Sequence, residues 1–383
     1  MALCGPPLPS PSTLRRGKEP IGVEWTEPAP RGRWGLGRAG IALAVASIVL
    51  LVVGLLSITV ELPYFAISPG TSQSVEPLIS VPAAKRHPIK GAVMLTTVYL
   101  SRVRPLEYVY AWTNHDVQIV STQSILGNLP ASQLQQVDEA EMTGSKEAAE
   151  VVALRRLGYP VTEHGTGAII DAVVPRTPAA RAALAVGDTI TAINGKAVNT
   201  AADASAVLGR LAPNANAVLS ISTVRKTTTT VTVTLTKRPD APSRGFLGVG
   251  LATRGESFDF PFPVSIDSGQ IGGPSAGLAF TLGLIDTLTN GNLTGGHRIA
   301  ATGTIDLTGA VGDVGGVAQK TVSVADAGAT DFLVPAGEYK EALAHAGPNL
   351  RVYKVNTLAD ALAVLAKLGG DLSGIPPVPA GQQ

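Results

Sequence analysis

Two residues in the last third of the 383-residue chain stand in settings suited to covalent catalysis, Ser275 and Lys320. Ser275 lies in Gly272-Gly273-Pro274-Ser275-Ala276-Gly277, ahead of LAFTLGLIDTL, whose Leu278, Leu282, Ile285 and Leu288 have helical spacing. The pattern predicts a helix opened by Ser275, with Pro274 in the first turn, where a missing N–H costs nothing. A hydroxyl there sits beside unpaired N–H groups and the positive end of the helix dipole, the surroundings that stabilise a tetrahedral oxyanion. Phosphate favours the same surroundings. However, neither Gly17-Lys18 nor Gly195-Lys196 is followed by Ser or Thr, so no Walker-type nucleotide loop is present. Lys320 falls in an apolar, small-residue stretch predicted helical from near Val317 to before Gly328. A lysine there either snorkels or loses its charge, and a neutral amine next to a hydroxyl can take its proton. The competing readings are a helix cap for Ser275, a surface charge for Lys320, and His297 in GGHRI as a rival base.

Composition narrows the classes. The formal charge is +1 with acids and bases interspersed, so no basic face for nucleic acid is expected. Cys4 is the single cysteine, and the five histidines are scattered without a His-Glu-x-x-His motif. Neither an intrachain disulfide nor a cysteine metal cluster can form, and no metal or other cofactor is expected.

The elements that must position these residues follow from the chain's organisation. Residues 1–38 are rich in Pro, Gly and Arg without apolar period and read as a disordered tail. Ala39–Val60 carries no charge and is long enough to cross a bilayer as one helix. Arg15, Arg16, Lys18, Arg31, Arg33 and Arg38 precede it, and the first base after it is Lys85. The tail is therefore expected in the cytoplasm and the C-terminal part outside, in a single-pass cell-membrane protein. Residues 61–160 read as an extracytoplasmic linker or supporting region with strand-like stretches at Ala92–Leu100 and Val117–Val120, and a helix from Ser145, as its cap, to Leu157. Residues 161–238 alternate short strands, turns and helices, with a hairpin turn at Asn194-Gly195 and a Thr200-x-x-Asp203 capping box. Residues 244–368 hold Ser275 and Lys320, and 369–383 form a second Pro/Gly-rich tail expected to be disordered.

Two resemblances rest on these strings. AVGDTITAINGKAV, after a glycine-led strand and a Pro-Ala helix, resembles a PDZ domain of the bacterial protease-associated kind. That likeness implies a bound peptide added as a strand, with its carboxylate held by backbone N–H groups of the loop Gly165, Thr166, Gly167 and Ala168, although HGTGA lacks the family's Gly-aromatic-Gly-aromatic loop. The Gly-Pro-Ser-Ala-Gly context of Ser275, with Val314-Gly315-Gly316 ahead of Lys320, resembles the proteolytic domain of Lon-type peptidases. This implies a Ser–Lys dyad of Ser275 and Lys320, with Thr302 steadying the lysine or oxyanion and Ala276 among the oxyanion donors. Many members carry an acid where this chain has Gly272, which leaves Asp267 as a neighbour without an assigned role.

The whole arrangement resembles the small membrane-anchored PDZ and Lon proteins of Gram-positive bacteria, and the abundance of Ala, Arg, Gly and Pro suits an actinobacterial genome. The expected fold class is α+β: a single N-terminal transmembrane helix, a PDZ-like β-rich domain and a Lon-type α/β proteolytic domain. The implied activity is an ATP-independent serine endopeptidase acting on unfolded or exposed extracytoplasmic polypeptides, without nucleotide, and a homo-oligomer is implied because Lon-type domains often form rings. The alternative is a non-catalytic membrane-anchored PDZ adaptor.

Overall fold

The computed structural model describes residues 37–127, 129–223 and 227–377. The expected N-terminal tail, with Cys4, lies outside the described residues except for its last two positions. The chain divides after Leu56 into an N-terminal unit and a large C-terminal unit. Helix α1 (Arg38–Thr59) has no charged residue after Arg38 and no buried one. Its mean hydropathy of 2.9 and its 22 residues make it long and apolar enough to cross a membrane.

The C-terminal unit begins with β1 (Tyr64–Ser74), β2 (Ile79–Ser80), β3 (Ala92–Arg102), α2 (Pro105–Thr113), β4 (Gln118–Ser121), α3 (Thr122–Leu126) and α4 (Leu134–Arg156). A β-rich module follows, made of β5 (Thr162–His164), β6 (Ala168–Val173), α5 (Pro178–Arg181), β7 (Thr189–Ile193), β8 (Lys196–Ala197) and α6 (Ala201–Leu208), then β9 (Asn216–Ser222), β10 (Thr228–Thr234), β11 (Thr236–Lys237), β12 (Gly245–Phe246), β13 (Val249–Thr253) and β14 (Ser257–Asp259). The remainder comprises β15 (Ser265–Ile266), α7 (Gly277–Leu288), β16 (Arg298–Ala301), β17 (Thr304–Ile305), β18 (Val311–Gly312), α8 (Val317–Asp326), β19 (Asp331–Pro335), α9 (Tyr339–His345), β20 (Arg351–Val355) and α10 (Leu358–Lys367).

The larger sheet runs β20-β19-β16-β3-β1-β4. Strands β3, β16, β19 and β20 are parallel, and β1 pairs antiparallel with both β3 and β4. Successive side chains of a strand alternate between faces, which sorts the core. Val93, Leu95, Ile299, Ala301 and Leu333 pack with α4, α7 and α10, whereas Met94, Ala300, Phe332 and Val334 pack with Val317 and Val324 of α8 and Ala342 of α9. The result is three layers, helix on sheet on helix. All twelve residues of α7 are buried, Thr281, Asp286 and Thr287 among them. Burial of a side chain the size of Phe280 or Phe332 contributes roughly 1.5–3 kcal/mol.

Of the two readings of residues 61–160, supporting region and linker, the fold fits the first: they supply three of the six strands of this sheet and helix α4, which packs along α7. The module is an insertion into a domain built from both sides of it. The expected helix from Ser145 starts instead at Leu134, so Ser145 is an interior, buried position and not a cap. Nor is the C-terminal stretch wholly loose. Gly370 N–H bonds to the Leu365 carbonyl, Asp371 N–H to the Asn292 carbonyl, and Ile375 is buried in the main core; 378–383 lie outside the described residues.

In the inserted module the sheet order is β10-β9-β7-β6-β13, with β8 on β7. It does not end at 238, because β13 pairs with β6 and β14 closes a two-stranded ribbon with β5. The Asn194-Gly195 turn has positive φ at both residues (50° and 76°), as a tight hairpin requires. Thr200 Oγ1 accepts the Asp203 N–H at 3.0 Å while the Asp203 carboxylate accepts the Thr200 N–H at 3.1 Å, the reciprocal cap expected of that pair.

Candidate active site

Parallel α/β sheets gather function at the carboxyl ends of their strands, and that is where Ser275 lies. Pro274–Ala276 forms a 3-10 turn that leads into α7, with Pro274 in its first turn and Gly273 entering at φ 81°. The Ser275 carbonyl accepts the Gly303 N–H at 3.0 Å and the Thr302 hydroxyl at 3.2 Å, immediately past the end of β16. The Gly303 carbonyl in turn accepts the Leu278 N–H at 3.1 Å. Helix α4 holds the other side: buried Ser145 donates to the Pro274 carbonyl at 2.9 Å, and the Asp138 carbonyl accepts the Gly273 N–H at 3.0 Å. The half-buried Ser275 thus stands on a backbone fixed at four points, and its N–H takes no partner among the described residues. Ala276 is buried inside the turn, which closes through Gly277 N–H on the Pro274 carbonyl.

Lys320 lies on the opposite face of the sheet, in the first turns of α8, only 2 % exposed. Helix α8 starts from Gly316 in the left-handed region (φ 66°), with Ile67 and Val98 close behind it. The Lys320 carbonyl accepts the Thr96 hydroxyl at 3.4 Å. Strands β3 and β16 pair as Arg298↔Ala92, Ile299↔Val93 and Ala300↔Met94. Continued by two residues, that register sets Thr96 beside Thr302. The two threonines therefore bind the backbones of Lys320 and Ser275 where β16 ends beside the middle of β3. The Ser275 hydroxyl and the Lys320 amine themselves form no hydrogen bond, and no ion pair within 4 Å engages the amine among the described residues.

Burial pulls the Lys320 amine down to about 8, opposed by the negative charge of Glu338. Glu338 follows β19 and is itself pushed up to about 7 by burial; its Oε1 accepts the Val314 N–H at 2.9 Å and its Oε2 is buried without a partner. Sequence reasoning missed four contributors here: Thr96, Ser145, Asp138 and Glu338. Only Glu338 left a readable signal, a charged residue just after the apolar strand Phe332–Pro335.

Other candidates resolve differently. His297 precedes β16, at the end of the strand remote from Thr302, and its ring faces Asp331 at 4.0 Å, so it is removed from Ser275. Asp267 is exposed and its carboxylate accepts the Gly269 N–H at 3.0 Å, closing its own turn. No cluster of three or more His, Cys, Asp or Glu able to hold a metal occurs among the described residues.

The peptide loop expected at Gly165–Ala168 is contradicted by the structure. Strand β6, which follows it, is paired on both sides, by β7 and β13, and cannot take an added strand. The loop's donors are also spent: Thr166 N–H bonds the Arg254 carbonyl at 2.8 Å and Gly167 N–H the Asn199 carbonyl at 2.9 Å. A Cβ at Gly165 would lie 2.3 Å from Thr253 Cγ2, so this glycine serves close packing. The unpaired edge next to α6 belongs to β13. The turn before it, Leu247-Gly248, gives its carbonyls to Ala179 and Val174, while its own N–H groups have no partner among the described residues. Gly248 has φ 87°, and a Cβ there would collide with Thr177.

Comparison with known proteins finds the same two domains, the PDZ match ending ahead of β13. Residues 155–235 match the PDZ domain, and residues 264–366 match the Lon protease (S16) C-terminal proteolytic domain. The chain carries both a PDZ domain and a Lon-type proteolytic domain: it is a protease domain with a PDZ module inserted, behind one apolar N-terminal helix that fits a membrane anchor. Similar solved structures include the PDZ domain of an SdrC-like protein from Listeria monocytogenes (21% identity over 22% of this chain and 87% of that one, TM-score 0.21). Its counterpart from Listeria innocua has 17% identity over 22% and 92%, with TM-score 0.20. A solution structure from Geobacillus thermodenitrificans has 27% identity over 22% and 95%, with TM-score 0.20. No curated protein matches the chain.

Proposed function

We propose that this chain is an ATP-independent serine endopeptidase in which Lys320 activates Ser275. The observation that carries the reading is that Thr302 and Thr96, on adjacent strands, hold the backbones of Ser275 and Lys320, with the buried lysine in no ion pair among the described residues. The neutral Lys320 amine takes the proton of Ser275 as its Oγ attacks a peptide carbonyl, and the resulting ammonium returns the proton to the leaving amine. The Ser275 N–H, at the positive end of α7, faces the developing oxyanion charge. Water then splits the acyl-enzyme. In the resting site the Ser275 hydroxyl and Lys320 amine are not yet hydrogen-bonded, a gap that substrate binding closes in many hydrolases.

Helix α1 anchors the chain in the cell membrane, and the bases before it favour a cytoplasmic tail and an external catalytic part. Substrates are then exposed or unfolded extracytoplasmic polypeptides, since no nucleotide loop supports an unfolding motor. The PDZ module presents them by adding a peptide strand at the open edge of β13, with a chain end on the Leu247-Gly248 turn.

The test is turnover of an unfolded protein by full-length Ser275→Ala and Lys320→Ala. Each loses cleavage and the acyl-enzyme while peptide binding persists. Normal cleavage by either variant rejects the dyad, and a wild-type chain that binds peptide but never cleaves is an adaptor.

A further inference from the structure

Helix α2 exposes side chains that a water-facing helix does not keep. Of its nine residues only Ala111 is buried, while Leu106, Tyr108, Val109, Tyr110 and Trp112 are exposed, Trp112 to 85 %. At 100° per residue these five span an arc of about 200°, opposite Glu107 and Ala111. The single carboxylate of the helix, Glu107, is occupied in accepting the Arg104 N–H at 2.9 Å, which leaves the arc uncharged. So wide an unpartnered apolar arc calls for a covering surface. Its mixture of Tyr and Trp with aliphatic residues suits a boundary between water and hydrocarbon, where ring bodies are buried and polar tips stay wet.

The chain itself says which surface is within reach. Helix α1 ends at Thr59 and β1 begins at Tyr64, so at most about 18 Å of extended chain separates them. The connecting residues are fastened to the base of α2. Leu62 N–H bonds the Val103 carbonyl at 2.8 Å, Val103 N–H bonds the Tyr64 carbonyl at 3.0 Å, and Glu61 pairs with Arg102 at 2.7 Å. The Tyr64 and Tyr108 rings meet at 5.8 Å. The patch is thus tied to the first residues that leave the apolar helix.

We propose that α2 lies in the headgroup layer of the bilayer that α1 crosses, so that the protease is held at the lipid surface by two contacts instead of swinging on a tether. This rests on the reading of α1 as a membrane anchor. A charged partner is disfavoured because the arc offers no ionic groups.

The full chain carrying Trp25→Phe and Trp34→Phe leaves Trp112 as the only tryptophan. It is reconstituted at about one chain per phosphatidylcholine–phosphatidylglycerol vesicle, and its emission is quenched by lipids brominated at shallow positions or by aqueous iodide. The expected result is loss of at least half the emission to the brominated lipid and a several-fold smaller iodide effect than in detergent. Full iodide access without bromine quenching overturns the proposal while leaving the anchor intact, as flotation with the vesicles shows. Shielding that appears only when several chains share a vesicle overturns it in favour of a second copy as the occupant. Failure to float overturns the anchor and this proposal together.

Discussion

In the larger sheet a turn at the end of β16 carries Ser275 and Thr96 in the middle of β3 holds Lys320, whereas the module's sheet offers the side of a strand. In the first, four parallel strands point their carboxyl ends one way, so side chains and helix starts from both faces converge without any strand being left unpaired. In the second, antiparallel pairing scatters strand ends to both rims, and the usable feature is the row of backbone groups along β13. On the proposed reading, chemistry sits where geometry is overdetermined, and recognition sits where a hydrogen-bond ladder is incomplete.

The sharpest way to break the first half of that comparison is to remove a clamp that the sequence hides. Ser145→Ala leaves the Pro274 carbonyl without its second donor and the turn of Ser275 held by one element fewer. A lost buried hydrogen bond costs about 1–3 kcal/mol. Full-length Ser145→Ala is expected to lose about 10- to 100-fold in kcat with little change in KM and an unaltered acid limb of the pH profile. An equal rise in KM would mean that α4 shapes the substrate groove instead of the turn.

How much could be read beforehand differs between the two sheets for the same physical reason. Ser275 and Lys320 stand in local strings, a Gly-Pro-Ser-Ala-Gly turn and an apolar helix, so their settings were legible. Ser145, Asp138 and Thr96 were not, because they come from before the inserted module, and no local period in SKEAAEVVALRRL tells a buried hydroxyl from a cap. The module's strands and turns were legible from alternation and from Asn194-Gly195. Its open edge was not, since the edge depends on which strand lies outermost, and β13 is closed onto β6 from the far end of the module. Gly165 and Gly167, expected as donors to a carboxylate, serve the backbone instead: a Cβ at Gly165 would lie 2.3 Å from Thr253 Cγ2, and Gly167 holds φ 140°.

The second half of the comparison is sharpened by two substitutions in the module. Val249, half-buried at the start of β13, sits where an added strand would lay its side chains, and Thr166 is exposed in the loop before β6. Val249→Lys is expected to weaken binding of a C-terminal peptide by about tenfold, the scale of one lost apolar contact of about 1.4 kcal/mol. Thr166→Lys is expected to leave it unchanged. Calorimetric titration on both variants decides: if only Thr166→Lys weakens binding, the open edge of β13 is not the groove.

The smallest effect concerns charge at the end of the larger sheet. The Lys320 amine is drawn down to about 8 by burial, so its neutral, proton-accepting form grows as pH rises through that value, and activity should rise with it. Glu338 works against this by favouring the ammonium, and because burial holds its own carboxyl at about 7, it is largely ionised when Lys320 titrates. The groups around it are Asp313 and Glu341, both negative, and Lys320. Glu338→Gln keeps an acceptor for the Val314 N–H but removes the charge. Lys320 then loses its proton more readily, and the acid limb of kcat/KM is expected to move down by about half a unit. At pH 7, below the limb but where Glu338 is only about half ionised, the variant should therefore be about 1.5- to 2-fold faster than the parent, while above pH 9, where both lysines are neutral, the two should coincide. A carboxylate that served only to hold the loop at Val314 would instead lower activity at every pH and leave the limb where it stood.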